Sequence, residues 1–337
     1  MEGYSVNRFL CAVTGVILLA LGVAPHETRA ADKLVGIQSA RVMSQSLPWI
    51  AQEAGLFQKY NLDFQLVYIA SSGIVAAAML GGSGDLAFTG LGIVRAYVQG
   101  ASDLVFVGGV KNILTHSILA GPEIKRPEDL KGKKIGISRI GSNSHYFTIQ
   151  AVKRFGIDPG RDIAFIQTGG EFETVAALVK GGIHAGALTS PADQKAIAQG
   201  FHYVIYGPDL RIPFVATALV TRRSVIAKRP QVVGQFMRAM AEAAKITHMD
   251  KDFAIKVLDK YLRLDDRKVL DASYNEEIKA LEPKMAINPE ALQAILDEIS
   301  QTDARAQRVK PQDVIDRRYL DELEKSGFFD KLWAEKR

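Results

Sequence analysis

From Leu34 to about Gly207, short apolar runs alternate with segments whose apolar residues recur at helical spacing. Residues 34–40 (LVGIQSA) form a run of strand type. Ser46 then offers an N-cap, Pro48 stands in the first turn, and Ile50, Ala54 and Phe57 follow on one face, with Gly55 near the helix end. Residues 64–69 alternate, Ser71-Ser72-Gly73 reads as a turn, and 74–80 reads as an alanine-rich helix. Residues 85–88 and 104–110 complete a first group of strands. A second group follows. Residues 129–134 lead into a strand at 135–138, and Ser144 is placed to cap a helix bearing Phe147, Ala151, Val152 and Phe155. Gly156 and Pro159 end that helix, glycine just past the last turn and proline beyond it. Strands at 163–168, 185–189 and 203–206 and a helix at 172–179 continue the pattern. Alternation of this kind predicts α/β layers with mainly parallel sheets. From Pro230 the pattern is helical alone: Val233, Phe236, Met237, Met240 and Ala244 make one face, and Pro311 opens a last long helix ending near Ser326-Gly327.

The two groups echo one another. Residues 76–85 (AAAMLGGSGD) resemble residues 175–184 (VAALVKGGIH) 99 positions later. Both read as a small-residue helix, a glycine turn and a buried strand ending at threonine, Thr89 and Thr189. The echo predicts two lobes built alike, and ligands commonly lie between such lobes.

Residues 1–30 stand apart. Arg8 precedes sixteen residues without a charge (9–24), and the small residues Thr28 and Ala30 close the segment. That order predicts a secretory signal peptide cleaved before Ala31. Sixteen residues span about 24 Å as a helix, short of a hydrocarbon core of ~30 Å, so a membrane-retained helix is the second choice. Cys11 lies at the start of the apolar stretch, not just after it, and reads as a leader residue and not a lipid anchor.

Composition removes several function classes. The chain has 337 residues, 47% hydrophobic and 23% charged, which excludes intrinsic disorder. With one cysteine, a disulfide framework, a zinc ribbon, an iron–sulfur cluster and a Cys-x-x-Cys redox pair are excluded. The net charge of +5 comes without a basic tract or a basic stripe interleaved with aromatics, so no nucleic-acid partner is expected. Gly90-x-Gly92 follows a strand but has Arg95 at the third glycine position, and Gly132-Lys133 lacks the upstream glycine of a phosphate loop, Pro127 standing there. The six histidines have no ligand spacing, and no metal or cofactor is expected. Asp265-Asp266 and Glu276-Glu277 look like paired carboxylates, but Asp265 reads as the cap or first turn of a helix and the glutamates as its wet face.

What remains is a set of small polar residues where strands end and helices begin. The first group supplies Gln38 and Ser39, Ser71 and Ser72, and Thr89 and Gly90. The second supplies Ser142, Asn143 and Ser144 after Gly141, then Gly169 beside Thr168 and Gly170, and Thr189 beside Ser190. In open α/β sheets ligands sit beyond the carboxyl ends of strands, where helix N-termini offer free N–H groups and about half a positive charge to an anion. Each residue alone reads as a cap; six clusters at equivalent places in two lobes point to a ligand in the cleft. Arg41 and Arg139 lie beside these loops and read either as anion partners or as surface residues.

The segments PWIAQEAGLF (48–57), Gly82-x-x-Asp85, DLKGKKIG (129–136) and Thr189-Ser190-Pro191 resemble the substrate-binding proteins of nitrate/sulfonate/taurine-type ABC importers. The binding proteins for thiamine pyrimidine precursors belong to the same group. The resemblance implies a type II periplasmic binding protein, with lobe 1 at 31–119 and 219–337 and lobe 2 at 120–218. Crossings near 117–121 and 217–221 are implied, as are a periplasmic location and a monomer that delivers a small solute to a permease and an ATPase. The solute implied is a small anion or, alternatively, an aminopyrimidine. An enzyme on the same scaffold, or a subunit feeding a sensor, are the other readings. The enzymes that resemble it use a cysteine-rich motif, and from Ala31 onward this chain has no cysteine. The glycine turn of the second lobe carries His184 where the family carries an aspartate.

Overall fold

The alternation along residues 34–207 becomes two five-stranded sheets in the computed structural model, which describes residues 30–334. The expected leader, with Cys11, lies outside the described residues apart from Ala30. From Ala31 onward the described residues make up one compact unit. The first sheet contains β1 (Asp32–Gln38), β2 (Leu62–Tyr68), β3 (Leu86–Thr89), β4 (Leu104–Ile113) and β10 (Pro213–Arg222), in the order β2-β1-β3-β10-β4. The second contains β5 (Ser117–Ala120), β6 (Lys133–Ile137), β7 (Ile163–Gln167), β8 (Ala185–Leu188) and β9 (His202–Ile205), in the order β7-β6-β8-β5-β9.

The two sheets share one topology. In the first, β1 runs parallel to β2 and β3, and β10 is antiparallel to both β3 and β4. In the second, β6 runs parallel to β7 and β8, and β5 is antiparallel to both β8 and β9. The reversed strand of each sheet is the one by which the chain arrives from the other sheet. The chain passes over at residues 114–116 and returns at residues 206–212. The expected crossings at 117–121 and 217–221 are instead largely strand β5 and part of strand β10, because their apolar residues pair within the sheets. The two passages run side by side: the Leu114 amide donates to the Ile212 carbonyl at 3.1 Å. Gly207 abuts the first passage so closely that a Cβ there would lie 1.5 Å from the His116 carbonyl oxygen.

The 99-residue echo has a geometric counterpart. Asp85 accepts from the Val35 amide at 3.0 Å, and its own amide donates to the Val35 carbonyl at 2.8 Å. At the equivalent place His184 Nδ1 accepts from the Lys134 amide at 3.0 Å, and its amide donates to the Lys134 carbonyl at 2.9 Å. His184 therefore does the backbone work of the aspartate in the first half.

The first sheet is covered on both faces. Along β4, Leu104 and Phe106 join one core and Val105 and Val107 the other, as the two-residue strand period requires. The second of these cores is closed by the helix Pro230–Met249, whose Phe236, Met237 and Met240 are fully buried. Two expectations for the helical region are corrected. Pro311 opens only a single turn, Pro311–Val314; the chain then extends before the helix Arg318–Lys325, because Val314 is drawn into the core and Ile315 bridges to Phe106. Glu277, at the end of the helix Arg267–Glu277, is 1% exposed and not on a wet face, because a buried lysine needs its charge. Asp266, and not Asp265, caps that helix, accepting from the Lys268 and Val269 amides, while Asp265 turns the chain at φ 49°. No helix among the described residues is long and apolar enough to cross a membrane.

Candidate functional site

Between the two sheets, where strand ends meet helix starts, lies a cavity of about 130 Å³. A single water needs about 10–15 Å³ on the same measure, so the cavity has room for a small solute. Of the residues singled out from sequence, Ser39, Ser71 and Ser72 line it from the first sheet, and Ser142, Asn143, Ser144, Gly169 and Thr189 from the second. Arg41 lines it as well; Arg139 is exposed outside it. Gln38, Thr89 and Gly90 do not line it. Gln38 faces a neighbouring groove with Trp49 and Tyr261, since successive strand residues point to opposite faces. Thr89 is fully buried, and Gly90 is pressed against β10, where a Cβ would lie 2.3 Å from the Val215 carbonyl oxygen.

On the first sheet's side the loop after β1 is held by a buried glutamine. Gln45 Oε1 accepts from the Ser39 and Ala40 amides at 2.9 and 3.0 Å, and its Nε2 donates to Ser39 Oγ at 2.9 Å. The helix Ser72–Leu80 starts beside this loop, its N-cap Ser71 at φ 85°. Gly92 of the adjoining helix Leu91–Val98 packs on this start: a Cβ there would lie 2.2 Å from the Ser72 carbonyl oxygen.

On the second sheet's side, Ser142 and not Ser144 caps the helix Asn143–Lys153, accepting from the His145 amide. Ser144 is instead the centre of a serine cluster. Its hydroxyl accepts from the Ser138 amide at 3.0 Å and lies 3.1 and 3.0 Å from the hydroxyls of Ser138 and Ser142. The helix starts two residues earlier than its sequence suggested, which turns Ser144 inward. Asn143 spans the cleft, its Nδ2 donating to the Ala216 carbonyl of β10 at 2.9 Å. His145 accepts from the Gly141 amide through Nδ1 at 3.1 Å; burial, and then the charge of Arg95, push its pKa down.

The floor of the cleft is ionic, which sequence reasoning missed. Lys111 of β4 donates to Glu277 Oε2 at 2.9 Å and to Thr115 Oγ1 at 2.8 Å. Thr115 and Thr189 both donate to Glu277 Oε1, Thr189 at 3.1 Å. Burial alone would raise the Glu277 pKa, but the Lys111 ammonium and these hydrogen bonds hold it below its ordinary value. Nothing in the sequence pattern marked this group, because its members lie up to 166 positions apart. Also missed were Tyr68, His116, Glu171, Phe172 and Glu173, which line the cleft. Glu171 accepts from the Thr189 amide at 3.1 Å and lies 3.5 Å from His116 Nε2. The first-turn position of Glu171 and Glu173 after the Gly169-Gly170 loop was the available signal. Three polar atoms of cleft residues, Ser72 Oγ, His116 Nδ1 and Asn143 Oδ1, are buried without a partner in the protein. Buried polar groups are normally hydrogen-bonded, so unpartnered ones at a cleft mark places for a ligand or water.

Residues 47–254 match the family described as NMT1/THI5 like. The chain belongs to the NMT1/THI5-like family. It is 26% identical over 241 residues to the taurine-binding periplasmic protein of Escherichia coli (strain K12), covering 67% of this chain and 70% of that protein. Among solved structures it is similar to the alkanesulfonate-binding protein SsuA of Xanthomonas axonopodis pv. citri bound to MOPS. The TM-score is 0.71 at 20% identity, over 86% of this chain and 99% of that one. The nitrate-binding protein NrtA of Synechocystis PCC 6803 aligns with a TM-score of 0.68 at 15% identity, over 89% of each chain. The fold of this NMT1/THI5-like chain is thus that of the periplasmic binding proteins, and its cleft occupies the space between the two sheets.

Proposed function

We propose that this chain is the solute receptor of an ABC importer. It captures a small solute bearing an anionic group, closes around it and presents it to a membrane permease and ATPase without changing it. The observation that carries this reading is the cleft itself. Both sheets line it, three helix starts meet it, and three of its buried polar atoms have no partner in the protein. The free N–H groups at the starts of the helices Ser72–Leu80 and Asn143–Lys153, neither with a carboxylate in its first turn, suit an anion. The sulfonate, taurine and nitrate named for the related proteins support that class of solute. The lobes of this reading are 31–113 with 213–337, and 117–205, rotating about the paired passages at 114–116 and 206–212. Few residues absorb such a rotation. The receptor works in the periplasm as a monomer, released by cleavage before Ala31; N-terminal sequencing of exported protein would then begin at Ala31.

The test is calorimetric titration with sulfonates, aminosulfonates, carboxylates, nitrate and aminopyrimidines, followed by small-angle scattering. A bound solute should reduce the radius of gyration, and at a hundred times its Kd it should add about 2.7 kcal/mol of stability. Magnetic resonance of the released solute should show it unchanged; conversion by the pure protein would replace the receptor with an enzyme.

A further inference from the structure

We infer a second binding site outside the cleft, for the anion of an aromatic hydroxy acid, in the groove beyond the carboxyl ends of β1 and β2. The groove is lined by Gln38, and the cleft by Ser39, because successive strand residues point to opposite faces of the sheet. It has about 410 Å³ of space against about 130 Å³ in the cleft. Small-molecule sites commonly fall between roughly 300 and 1,000 Å³.

The walls of the groove are apolar and held in place. Trp49 of the helix Leu47–Glu53 stacks on Tyr261, with ring centroids 5.3 Å apart and 8° between the planes. The Tyr261 hydroxyl donates to Glu53 Oε1 at 3.0 Å, which fixes the outer ring. Leu66 of β2 and Leu262, the last residue of the helix Lys251–Leu262, complete the wall and are half-buried. A hydrocarbon body that covers these surfaces removes them from water.

The polar groups of the groove ask for an anion that also carries a hydrogen-bond donor. Arg41 and Arg263 line it, and no aspartate or glutamate does. Neither guanidinium has an ion-pair or hydrogen-bond partner among the described residues. Arg41 lies 4.8 Å from the Tyr68 ring, and stacking of that kind leaves the N–H edge of a guanidinium free for a carboxylate. Exposed arginines are common, so these two alone would carry little. Gln38 is the independent observation. It is 5% exposed, and its Oε1 is buried without a partner. An acceptor left unpaired in the interior is costly, so its place at the groove marks where a ligand supplies a donor. A ring with a hydroxyl and a carboxylate meets both demands.

Arg41 and Tyr68 line the cleft as well as the groove. Lys111 is answered by Glu277, so Arg41 is the arginine or lysine of the cleft left without a carboxylate among the described residues. An occupant of the groove that engages Arg41 draws this charge away from the cleft and opposes capture of an anionic solute. That consequence rests on the receptor reading; the site itself does not.

Calorimetric titration of the full mature chain with 3- and 4-hydroxybenzoate, benzoate and benzyl alcohol tests the site. One hydroxybenzoate should bind one-to-one, benzoate about tenfold more weakly, and benzyl alcohol, without the charge, more weakly still. Arg263→Gln should weaken the hydroxybenzoate by about tenfold or more. Gln38→Leu should reduce it to the level of benzoate without lowering the melting temperature, because it removes an unpartnered buried amide. With the groove filled, any solute that binds among those titrated above should bind more weakly. Arg263→Gln, which does not line the cleft, should relieve that effect and leave solute affinity unchanged when no acid is present. Failure of all three aromatic acids to bind overturns the second site and leaves the receptor reading standing. So does binding that survives both substitutions, which would place the acid in the cleft. Solute affinity that the bound hydroxybenzoate does not alter overturns the sharing of Arg41. Failure of every cleft solute overturns the receptor reading and not this site.

Discussion

Asp193 shows how one buried group ties stability to pH. It is 3% exposed beneath the second sheet's end of the cleft. Ser190 donates to its Oδ1 at 2.9 Å, Tyr203 to its Oδ2 at 2.8 Å and the Gln194 amide to Oδ1 at 2.7 Å. Burial raises its pKa, those hydrogen bonds lower it and the Glu277 charge raises it again, leaving it at about 6. The folded chain therefore holds this proton more tightly than the unfolded chain, whose aspartate titrates near 3.8. Its stabilising contribution is full below pH 3.8 and is lost as the pH rises through about 6. Asp193→Asn keeps the acceptor oxygen and removes the charge. Its melting temperature should gain on the parent's between pH 4 and pH 7.5; a difference that stays flat across that range would show that Asp193 carries no such linkage.

At the scale of elements, the repeated strand-turn unit makes a sharp comparison. Asp85 and His184 each bind a backbone amide of the neighbouring strand, Val35 and Lys134, at 3.0 Å. A carboxylate and a neutral imidazole nitrogen are both acceptors, so different chemistry serves one structural role. His184→Asp should therefore be close to neutral in denaturant unfolding. His184→Ala should cost about 1 kcal/mol, the usual worth of one such hydrogen bond. An alanine variant as stable as the parent would remove His184 from the strand pairing. The sequence showed the repeat as an echo of glycines and alanines. It could not show that histidine takes over from aspartate, because a hydrogen bond is recognised by where the acceptor lies.

On the scale of the whole molecule, the Lys111–Glu277 pair joins the parts that sequence separates. It brings together β4 of the first sheet, the helix Arg267–Glu277 and Thr189 at the end of β8 in the second sheet. With 2% and 1% of the side chains exposed, neither charge has water to fall back on. Removing one partner leaves the other uncompensated, so Lys111→Met or Glu277→Leu alone should destabilise by about 3–5 kcal/mol. The double variant should recover much of that loss. Urea unfolding of the four proteins closes the cycle, and strictly additive losses would show that the two side chains act independently.

The α/β class, the mainly parallel strands, the glycine turns and most of the cleft loops are local properties, written in apolar spacing and in Ser, Asn and Gly at strand ends. They were legible in the sequence because each depends on residues within one turn or one strand. The family resemblance, too, rests on such short segments. The positions of the two passages shifted, because residues 117–120 and 213–222 form strands only when partners far along the chain accept their hydrogen bonds. Ser142 displaced Ser144 as the cap because the inward packing of Ser144 against Ser138 outweighs its local preference. Glu277 looked like a solvated helix residue because its partner lies 166 positions away. Charge burial and the joining of two sheets are decided by contacts at long range, and those belong to the folded chain alone.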